Sequence, residues 1–284
     1  MSVVVGKHPH PLRALARDAR ALARDARASR YLGWRLFRRD LSAEFDRARL
    51  GWLWNFADPL VLAAVFVLLR RGEAVAGTGV GVPYSVWVVL GMLSLQAFLN
   101  ALTRPLKMLD QSRALRMQVP VKPAALLTAQ LLRRGFDAAF FVPVMLAVLL
   151  WCGLWTAAGL LLGAALYGLI VAAGFALGVA LVPLNAVFDD VAKAVGSLNR
   201  PLLFLCPTFW YFAPGEGVLG TLSAWNPLAT LMNQLRFAAT GLHAPAAVAL
   251  EALPAAAGVA ALLAAAALAF HRTLPVINAG ASAA

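Results

Sequence analysis

Three acidic residues fall in or beside strongly apolar segments, where a carboxylate is costly and therefore usually functional. Asp58 lies near the start of the first apolar segment, and Glu251 lies about one turn inside the last. Asp137 follows Arg133 and Arg134, so a local ion pair is the simpler interpretation there. A proton-coupled carrier needs acids at mid-depth. Because all three acids lie near a segment edge, the sequence argues against such a carrier.

The residue patterns that carry catalysis or nucleotide hydrolysis are missing. No Gly-x-x-x-x-Gly-Lys-Ser/Thr loop is present, so we do not expect this chain to hydrolyse a nucleotide by that route. The four histidines are scattered, without an acidic partner at the spacing of a metal site or a catalytic triad: His8, His10, His243 and His271. Cys152 and Cys206 lie in or beside apolar runs and are expected to be small buried side chains. We therefore predict no enzyme, no bound metal and no cofactor in this chain.

The composition is that of a membrane protein. The chain has 284 residues, of which 61% are apolar and 13% charged, and its mean hydropathy is +0.75. A soluble domain averages about 45–50% apolar and about 25% charged residues, so a soluble fold could not bury this excess. A bilayer can, because each span needs about 20 mostly apolar residues and pairs its backbone groups as a helix. We predict an all-α, polytopic membrane protein.

Six transmembrane spans are predicted from the apolar runs: residues 52–69, 83–103, 135–151, 157–182, 198–213 and 246–270. The third span can begin as early as Ala124, and the fourth is rich in glycine, which permits close helix packing. The first 50 residues lack the apolar core of a signal peptide, so we expect span one to be an uncleaved anchor. Residues 208–244 stay apolar but are broken by proline and glycine. We therefore predict an outer re-entrant segment of short helices between spans five and six.

The net charge of +12 could suggest nucleic-acid binding. The basic residues instead crowd into residues 7–49 and 104–134, between apolar runs and without the aromatic interleaving of a nucleic-acid surface. If the amino terminus is placed inside, only three of the 25 lysines and arginines lie outside: Arg70, Arg71 and Arg236. This asymmetry predicts that both termini are cytoplasmic. It also predicts that residues 104–123 form a basic cytoplasmic loop.

The segment before the first span has two predicted parts. Residues 1–30 form a basic cytoplasmic segment whose duplicated heptad, residues 13–26, is too short for a coiled coil. Residues 31–50 form an amphipathic helix, with apolar side chains at spacings of three and four. Directly before a span, such a helix is expected to lie in the headgroup plane; the alternative is an amphipathic helix packed on a partner. The transmembrane domain is predicted at 51–275 and a cytoplasmic tail at 276–284.

Short motifs follow one another along the chain: Arg38-Arg39-Asp40-Leu41, Arg49-Leu-Gly-Trp-Leu-Trp-Asn55 with Asp58-Pro59, Val119-Pro-Val-Lys-Pro123, Leu184-Asn-Ala-Val-Phe-Asp-Asp190, Pro207-Thr-Phe-Trp-Tyr211 and Trp225-Asn-Pro-Leu-Ala229. Their order and spacing resemble the ABC-2 type export permeases, more narrowly those for lipid-linked polysaccharides of the O-antigen, capsule and teichoic acid group. The resemblance covers about residues 35–275. Asp189 departs from it, because these permeases usually have arginine there.

The resemblance implies a permease subunit of an exporter in the bacterial inner membrane. Two copies would assemble with two copies of a separate ATP-binding subunit, which would hold the ATP and Mg²⁺, and would enclose a path for a glycan carried on a polyprenyl diphosphate. The loop at residues 104–123 would dock the ATPase, with Lys107, Arg113 and Arg116 as candidate contacts. A coupling contact and a substrate path are thus both expected, and catalysis is not.

Two groups of side chains would meet the substrate. Arg35, Arg38 and Arg39 would contact the lipid diphosphate, because arginine makes bidentate contacts with phosphate; positive charge retained inside by topology alone is the simpler explanation for them. Aromatic faces suit sugars, so an aromatic set would line the outer gate: Phe209, Trp210, Tyr211, Phe212 and Trp225. An ordinary aromatic belt at the outer interface is the alternative for this set.

Other functions remain open from the sequence. An ABC-2 exporter of a small lipid or drug would share the fold. A membrane-embedded transferase acting on a lipid-linked sugar would also use aromatics and arginines, although the missing acid or histidine constellation argues against it. A scaffolding subunit without a path is a third possibility. A neighbouring ATPase gene beside glycosyltransferase genes would favour glycan export.

Overall fold

A computed structural model describes residues 11–47, 51–72, 79–118, 121–188, 190–213 and 217–283. These residues are almost entirely helical, and they contain no β-strand. Parts of the predicted segments 1–30, 31–50 and 276–284 lie outside the described residues, as does Asp189. The helices, in chain order, are α1 Pro11–Arg47, α2 Gly51–Arg71, α3 Tyr84–Thr103, α4 Met108–Gln111, α5 Arg113–Gln118, α6 Pro123–Ala139, α7 Phe141–Trp151, α8 Ala157–Asn185, α9 Asp190–Ser197, α10 Asn199–Leu205, α11 Gly217–Trp225, α12 Pro227–Thr240 and α13 Pro245–Ala283. A 3₁₀ turn, Pro105–Lys107, joins α3 to α4.

Four helical stretches of the described chain are long and apolar enough to cross a membrane: Tyr84–Leu115, Pro123–Trp151, Ala157–Asn185 and Pro245–Leu274. They contain predicted spans two, three, four and six. The third begins at the earlier of the two predicted places, because α6 and α7 follow each other with a break only at Phe140. Predicted span one lies on α2, part of whose side chains fall outside the described residues. The count of six spans therefore stays a prediction.

Predicted span five is helical only over α10, and residues 206–213 are not helical. Cys206 precedes Pro207, and a residue before proline is disfavoured in the α conformation. The backbone of Cys206 is accordingly extended, with φ −90° and ψ 153°. Seven helical residues reach about 10 Å, about a third of the hydrocarbon core, so α10 alone does not cross it. Short helices do follow in the predicted re-entrant region, where Asn226 separates α11 from α12 and caps α12 by accepting from Leu228 N at 3.0 Å.

The centre of the fold is α8, which packs against α3, α12 and α13. Its glycines allow this closeness, as the sequence predicts. A Cβ on Gly159 would lie 2.7 Å from the carbonyl oxygen of Ala238 in α12, and a Cβ on Gly174 would overlap the carbonyl of Phe98 in α3. Packing of small residues is a main source of helix association in lipid. The glycines therefore fix α3 and α12 on the two flanks of α8.

The amino-terminal helix α1 is continuous through the predicted boundary at residues 30 and 31. It runs alongside α6 in the same direction: Asp25 meets Lys122, Gly33 packs against Thr128, and Phe37 lies 6.1 Å from Phe136 between ring centroids. Leu36 and Phe37 are buried by this contact. The apolar side of α1 is thus covered in part by α6, and its predicted place in the headgroup plane stays a prediction.

Candidate functional site

A groove of about 840 Å³ lies between α1, the segment at residues 104–115 and α6. We call it the basic groove. Its lining comes from three separate parts of the chain: Leu36, Phe37, Arg39, Asp40 and Ala43 from α1; Arg104, Lys107, Met108, Gln111, Ser112 and Leu115; and Leu126, Ala129, Gln130, Arg133 and Arg134 from α6. Ligand pockets commonly measure about 300–1,000 Å³, so this groove has the size of a binding site.

Positive charge dominates the described side chains that line the groove. The cationic groups belong to Arg39, Arg104, Lys107, Arg133 and Arg134, and Asp40 supplies a carboxylate. Arg133 and Arg134 are buried in the inner wall, with 9% and 4% of their surface exposed, whereas Arg39 and Lys107 are exposed at the rim. Apolar side chains such as Leu36, Met108 and Leu126 fill the surface between the charges. The groove is therefore amphipathic and positively charged.

Asp137 organises the inner wall from behind the groove. Its carboxylate accepts from Arg133 Nε at 3.0 Å and contacts Arg134 Nη1 at 3.0 Å, which confirms the predicted local ion pair. Arg104, at the end of α3, reaches the same carboxylate at 3.7 Å. Removing one member of a buried charged cluster is costly because the others lose their compensation. Asp137 thereby holds guanidinium groups from two helices in fixed positions.

A small cavity of about 30 Å³ continues from this cluster toward α8, and its lining includes apolar side chains such as Leu93 and Val171. Gln96, Asn100 and Tyr167 line it together with Arg134 and Asp137. The volume suffices for about two water molecules. Gln96 Nε2 donates to Asn100 Oδ1 at 3.4 Å, so polar groups continue along α3 away from the groove. Polar side chains thus extend from the groove into an otherwise apolar span.

The structure separates the arginines that the sequence grouped as diphosphate contacts. Arg39 lines the basic groove and donates to Asp40 Oδ1 at 2.9 and 2.7 Å. Arg35 and Arg38 do not line the groove; with Arg39 they border a shallower concavity of about 420 Å³ along α1. There the guanidinium of Arg35 lies 5.8 Å from the ring centre of Tyr31. Of the predicted group, only Arg39 joins the other cations of the basic groove.

The candidate ATPase contacts are also divided. Lys107 is exposed and lines the groove, whereas Arg113, exposed at the start of α5, does not line it. The side chain of Arg116 lies outside the described residues. The docking role of all three stays a prediction. Lys107 has a second possible role, because it points into the same groove as Arg39.

The predicted outer aromatic set does not form one surface. Phe209 is buried and stacks on Phe66 of α2 at 3.7 Å between ring centroids. Trp210 and Tyr211 are half-buried; Tyr211 packs edge-on against Trp87 at 5.8 Å. Phe212 is also half-buried, whereas Trp225, at the end of α11, is 85% exposed and belongs to no described aromatic contact. Phe209 therefore packs within the chain, and a path through the others stays a prediction.

Arg236 was counted from the sequence as an outer charge, but it is completely buried. Its guanidinium lies 4.0 Å from the ring centre of Trp87, and its Nε donates to the Trp87 carbonyl at 3.1 Å. Nη1 donates to Asn233 Oδ1 at 3.2 Å and Nη2 to the Thr208 carbonyl at 3.5 Å. Gly91 leaves the space that this side chain fills. The one sequence signal was an arginine among apolar residues of α12.

One ionic contact links both ends of the chain to α6. Asp25 of α1 accepts from Lys122 Nζ at 2.7 Å and lies 3.4 Å from His271 Nε2 of α13. The hydrogen bond from Lys122, followed by that from His271, lowers the pKa of Asp25 below its ordinary value of 3.8. No local sequence pattern indicates this contact, because Asp25, Lys122 and His271 are far apart in the chain.

The remaining chemical candidates are two cysteines and two acids. Cys152 and Cys206 are free thiols, half-buried and buried respectively. Glu251 is exposed on α13 and accepts from Gln234 of α12. Within the described part of the chain, no group of three or more His, Cys, Asp or Glu residues could bind a metal ion. The side chain of Asp58 lies outside that part.

Comparison with known proteins gives a distant but extended similarity. The chain is 22% identical over 206 residues to the polysialic acid transport protein KpsM of Escherichia coli, which covers 71% of this chain and 78% of that protein. A second Escherichia coli protein of the same name is 22% identical over 203 residues, with the same coverage. No protein-family model matches the chain. The similarity and the long apolar helices together indicate a multi-pass membrane protein related to transport proteins.

Proposed function

We propose that this chain is the transmembrane permease subunit of an ATP-driven exporter of lipid-linked polysaccharide in the bacterial inner membrane. The observation that carries the proposal is the similarity to polysialic acid transport proteins over 71% of the chain. The long apolar helices packed around the glycines of α8 supply a fold suited to it. The substrate is a glycan linked to a polyprenyl diphosphate, and two copies of the chain enclose its path.

Energy comes from a separate ATP-binding partner. The chain lacks the phosphate-cradling loop that nucleotide hydrolysis of this kind requires. The segment that contains α4 and α5 is the docking surface. Arg113 is its main candidate contact, because it is exposed and does not line the basic groove. The partner's binding there transmits its motion to α3, since the 3₁₀ turn Pro105–Lys107 continues directly from that helix.

The experiment purifies the tagged chain together with the products of its neighbouring genes and identifies both protein and lipid that copurify. We expect an ABC-type ATPase and a lipid-linked glycan, with no ATPase activity in the chain alone. Replacing Arg113 and Arg116 by alanine should reduce ATPase recovery and leave membrane insertion intact. Recovery of a simple lipid in place of a glycan would favour the small-lipid or drug exporter, and an isolated chain without ATPase or lipid would refute the proposal.

A further inference from the structure

We infer that the basic groove binds the diphosphate of a polyprenyl-type lipid, with the phosphates against its arginines and lysine and the first part of the chain along its apolar wall. The inference rests on the proposed function and adds the place where the lipid headgroup is held. It concerns the groove formed by α1, residues 104–115 and α6, and not the concavity along α1 where Arg35 and Arg38 lie.

Charge is the first support. A diphosphate presents several negatively charged oxygens, and planar guanidinium groups bind such oxygens in pairs. Arg39, Arg104, Arg133 and Arg134 converge on one groove from α1, α3 and α6, and Lys107 adds a point charge. Among the described carboxylates, Asp40 pairs with Arg39, and Asp137 lies behind the groove, where it contacts Arg133, Arg134 and Arg104. A cationic groove of this kind favours an anion over a neutral lipid.

Preorganisation is the second support. Arg133 and Arg134 are buried and held by Asp137 at 3.0 Å, so a ligand need not order them. Arg39 and Lys107 are exposed at the rim, where they can meet the ligand first. The pair between Arg39 and Asp40 is exposed, with about half of each side chain accessible. Such exposed pairs are weak, so Arg39 can exchange Asp40 for a phosphate.

The shape is the third support. The cations line a concave groove, and Arg133 and Arg134 are buried in its wall. Leu36, Phe37 and Met108 provide an apolar surface in the same groove. An amphiphile with a charged head and an apolar chain satisfies both kinds of lining at once. A free anion would leave the apolar surface uncovered.

The test measures binding of farnesyl diphosphate to the purified full-length chain in nanodiscs of zwitterionic lipid. The variant Arg39→Gln with Lys107→Gln removes the two rim charges, which belong to exposed side chains. The control is Arg30→Gln with Lys193→Gln, which removes the same residue types from exposed positions outside the groove. Because the groove variant loses charge-assisted hydrogen bonds, we expect its dissociation constant for farnesyl diphosphate to rise about tenfold or more. The dissociation constant of the control should not change. Melting temperatures of both variants should match that of the parent.

Three competing probes complete the experiment: farnesol, inorganic diphosphate and phosphatidylglycerol. We expect farnesyl diphosphate to bind more tightly than each of them. Equal binding of phosphatidylglycerol would show a general anionic-lipid surface, and equal binding of farnesol would show an apolar site; either result overturns the inference. So does equal weakening in the groove variant and the control. Binding is measured without ATPase or transport, so the two proposals can fail separately. Tight binding of farnesyl diphosphate without glycan export would refute only the proposed function. Glycan export by a chain that does not bind farnesyl diphosphate would refute only the inference about the groove.

Discussion

The contact between Arg236 and Gly91 allows a test of how α12, α3 and the non-helical segment at residues 206–213 are held together. Arg236 of α12 joins α3 through Trp87 and the non-helical segment through Thr208, and it fills the space that Gly91 leaves open. A methyl group on Gly91 would overlap Nη2 of Arg236 and lie 2.9 Å from the Thr208 carbonyl. We therefore predict that Gly91→Ala and Arg236→Ala both destabilise the protein and that their effects are not additive.

The loss of stability expected for Arg236→Ala follows from opposing contributions to the free energy of unfolding. Each charge-assisted hydrogen bond of Arg236 contributes about 1.5–3 kcal/mol, and the desolvated contact with the Trp87 ring about 2 kcal/mol. Burying the cation costs several kcal/mol, so the charge by itself contributes little net stability. Truncation to alanine also leaves a cavity, and large-to-small changes at such sites cost about 3–5 kcal/mol. Arg236→Met keeps most of the volume without the charge, and we expect it to cost only about 1 kcal/mol.

The assay is thermal unfolding of the four chains of a double-mutant cycle in one detergent. For a protein of this size, about 1 kcal/mol corresponds to roughly 2–4 °C, so Arg236→Ala should lower the melting temperature by about 10 °C. Gly91→Ala should lower it by several degrees, since overpacking costs about 1–3 kcal/mol. The double variant should be more stable than the sum predicts, by about 1 kcal/mol or more. Strict additivity, or a neutral Arg236→Ala, would refute the reasoning.

Two further predictions concern the ends of the chain and the outer aromatics. Because the pKa of Asp25 is lowered in the fold, its contact with Lys122 and His271 stabilises above its ordinary pKa and is lost as pH falls through the lowered value. Asp25→Asn should therefore lower the melting temperature at pH 7 by the equivalent of roughly 0.2–1 kcal/mol, and the difference from the parent should shrink as the pH falls through the lowered pKa; a pH-independent effect would exclude the carboxylate. If Trp210 and Tyr211 line the path, replacing both by alanine should cut glycan export while the protein level stays normal. If they form only an interface belt, replacing both by phenylalanine should be tolerated, and the alanine pair should lower protein level and export together. Normal export by a stable alanine pair would remove them from the mechanism.

Apolar run length predicted the long helices well, because a bilayer demands a minimum number of apolar residues whatever they pack against. Predicted spans two and four begin within one residue of α3 and α8, at Tyr84 and Ala157. The glycines of α8 likewise predicted close packing, and the structure places Gly159 and Gly174 against neighbouring backbones. Hydropathy does not report where a backbone leaves the helix, however. The extended conformation of Cys206 before Pro207 shortens the predicted fifth helix to seven residues.

In the candidate site, too, contacts within one helix could be predicted from the sequence, whereas contacts between helices could not. The ion pair of Asp137 with Arg133 and Arg134 is readable from spacings of four and three residues on one helix. The approach of Arg104 to the same carboxylate depends on how α3 and α6 pack, and no short-range pattern encodes it. The same holds for Arg236, whose partners Trp87 and Thr208 lie in other parts of the chain.

Positive charge near a membrane has two explanations that a sequence alone does not separate. Topology requires only that lysine and arginine be retained on one side, so it constrains their number but not their orientation. Exposed arginines such as Arg30 satisfy that requirement fully. Arg133 and Arg134 go further, since burial costs energy that topology does not repay, and Asp137 is placed to hold both. The proposed lipid diphosphate would offset that cost at the wall of a concave, partly apolar groove. We therefore expect the charge of the substrate to be bound in the groove and not by the larger number of exposed arginines on α1.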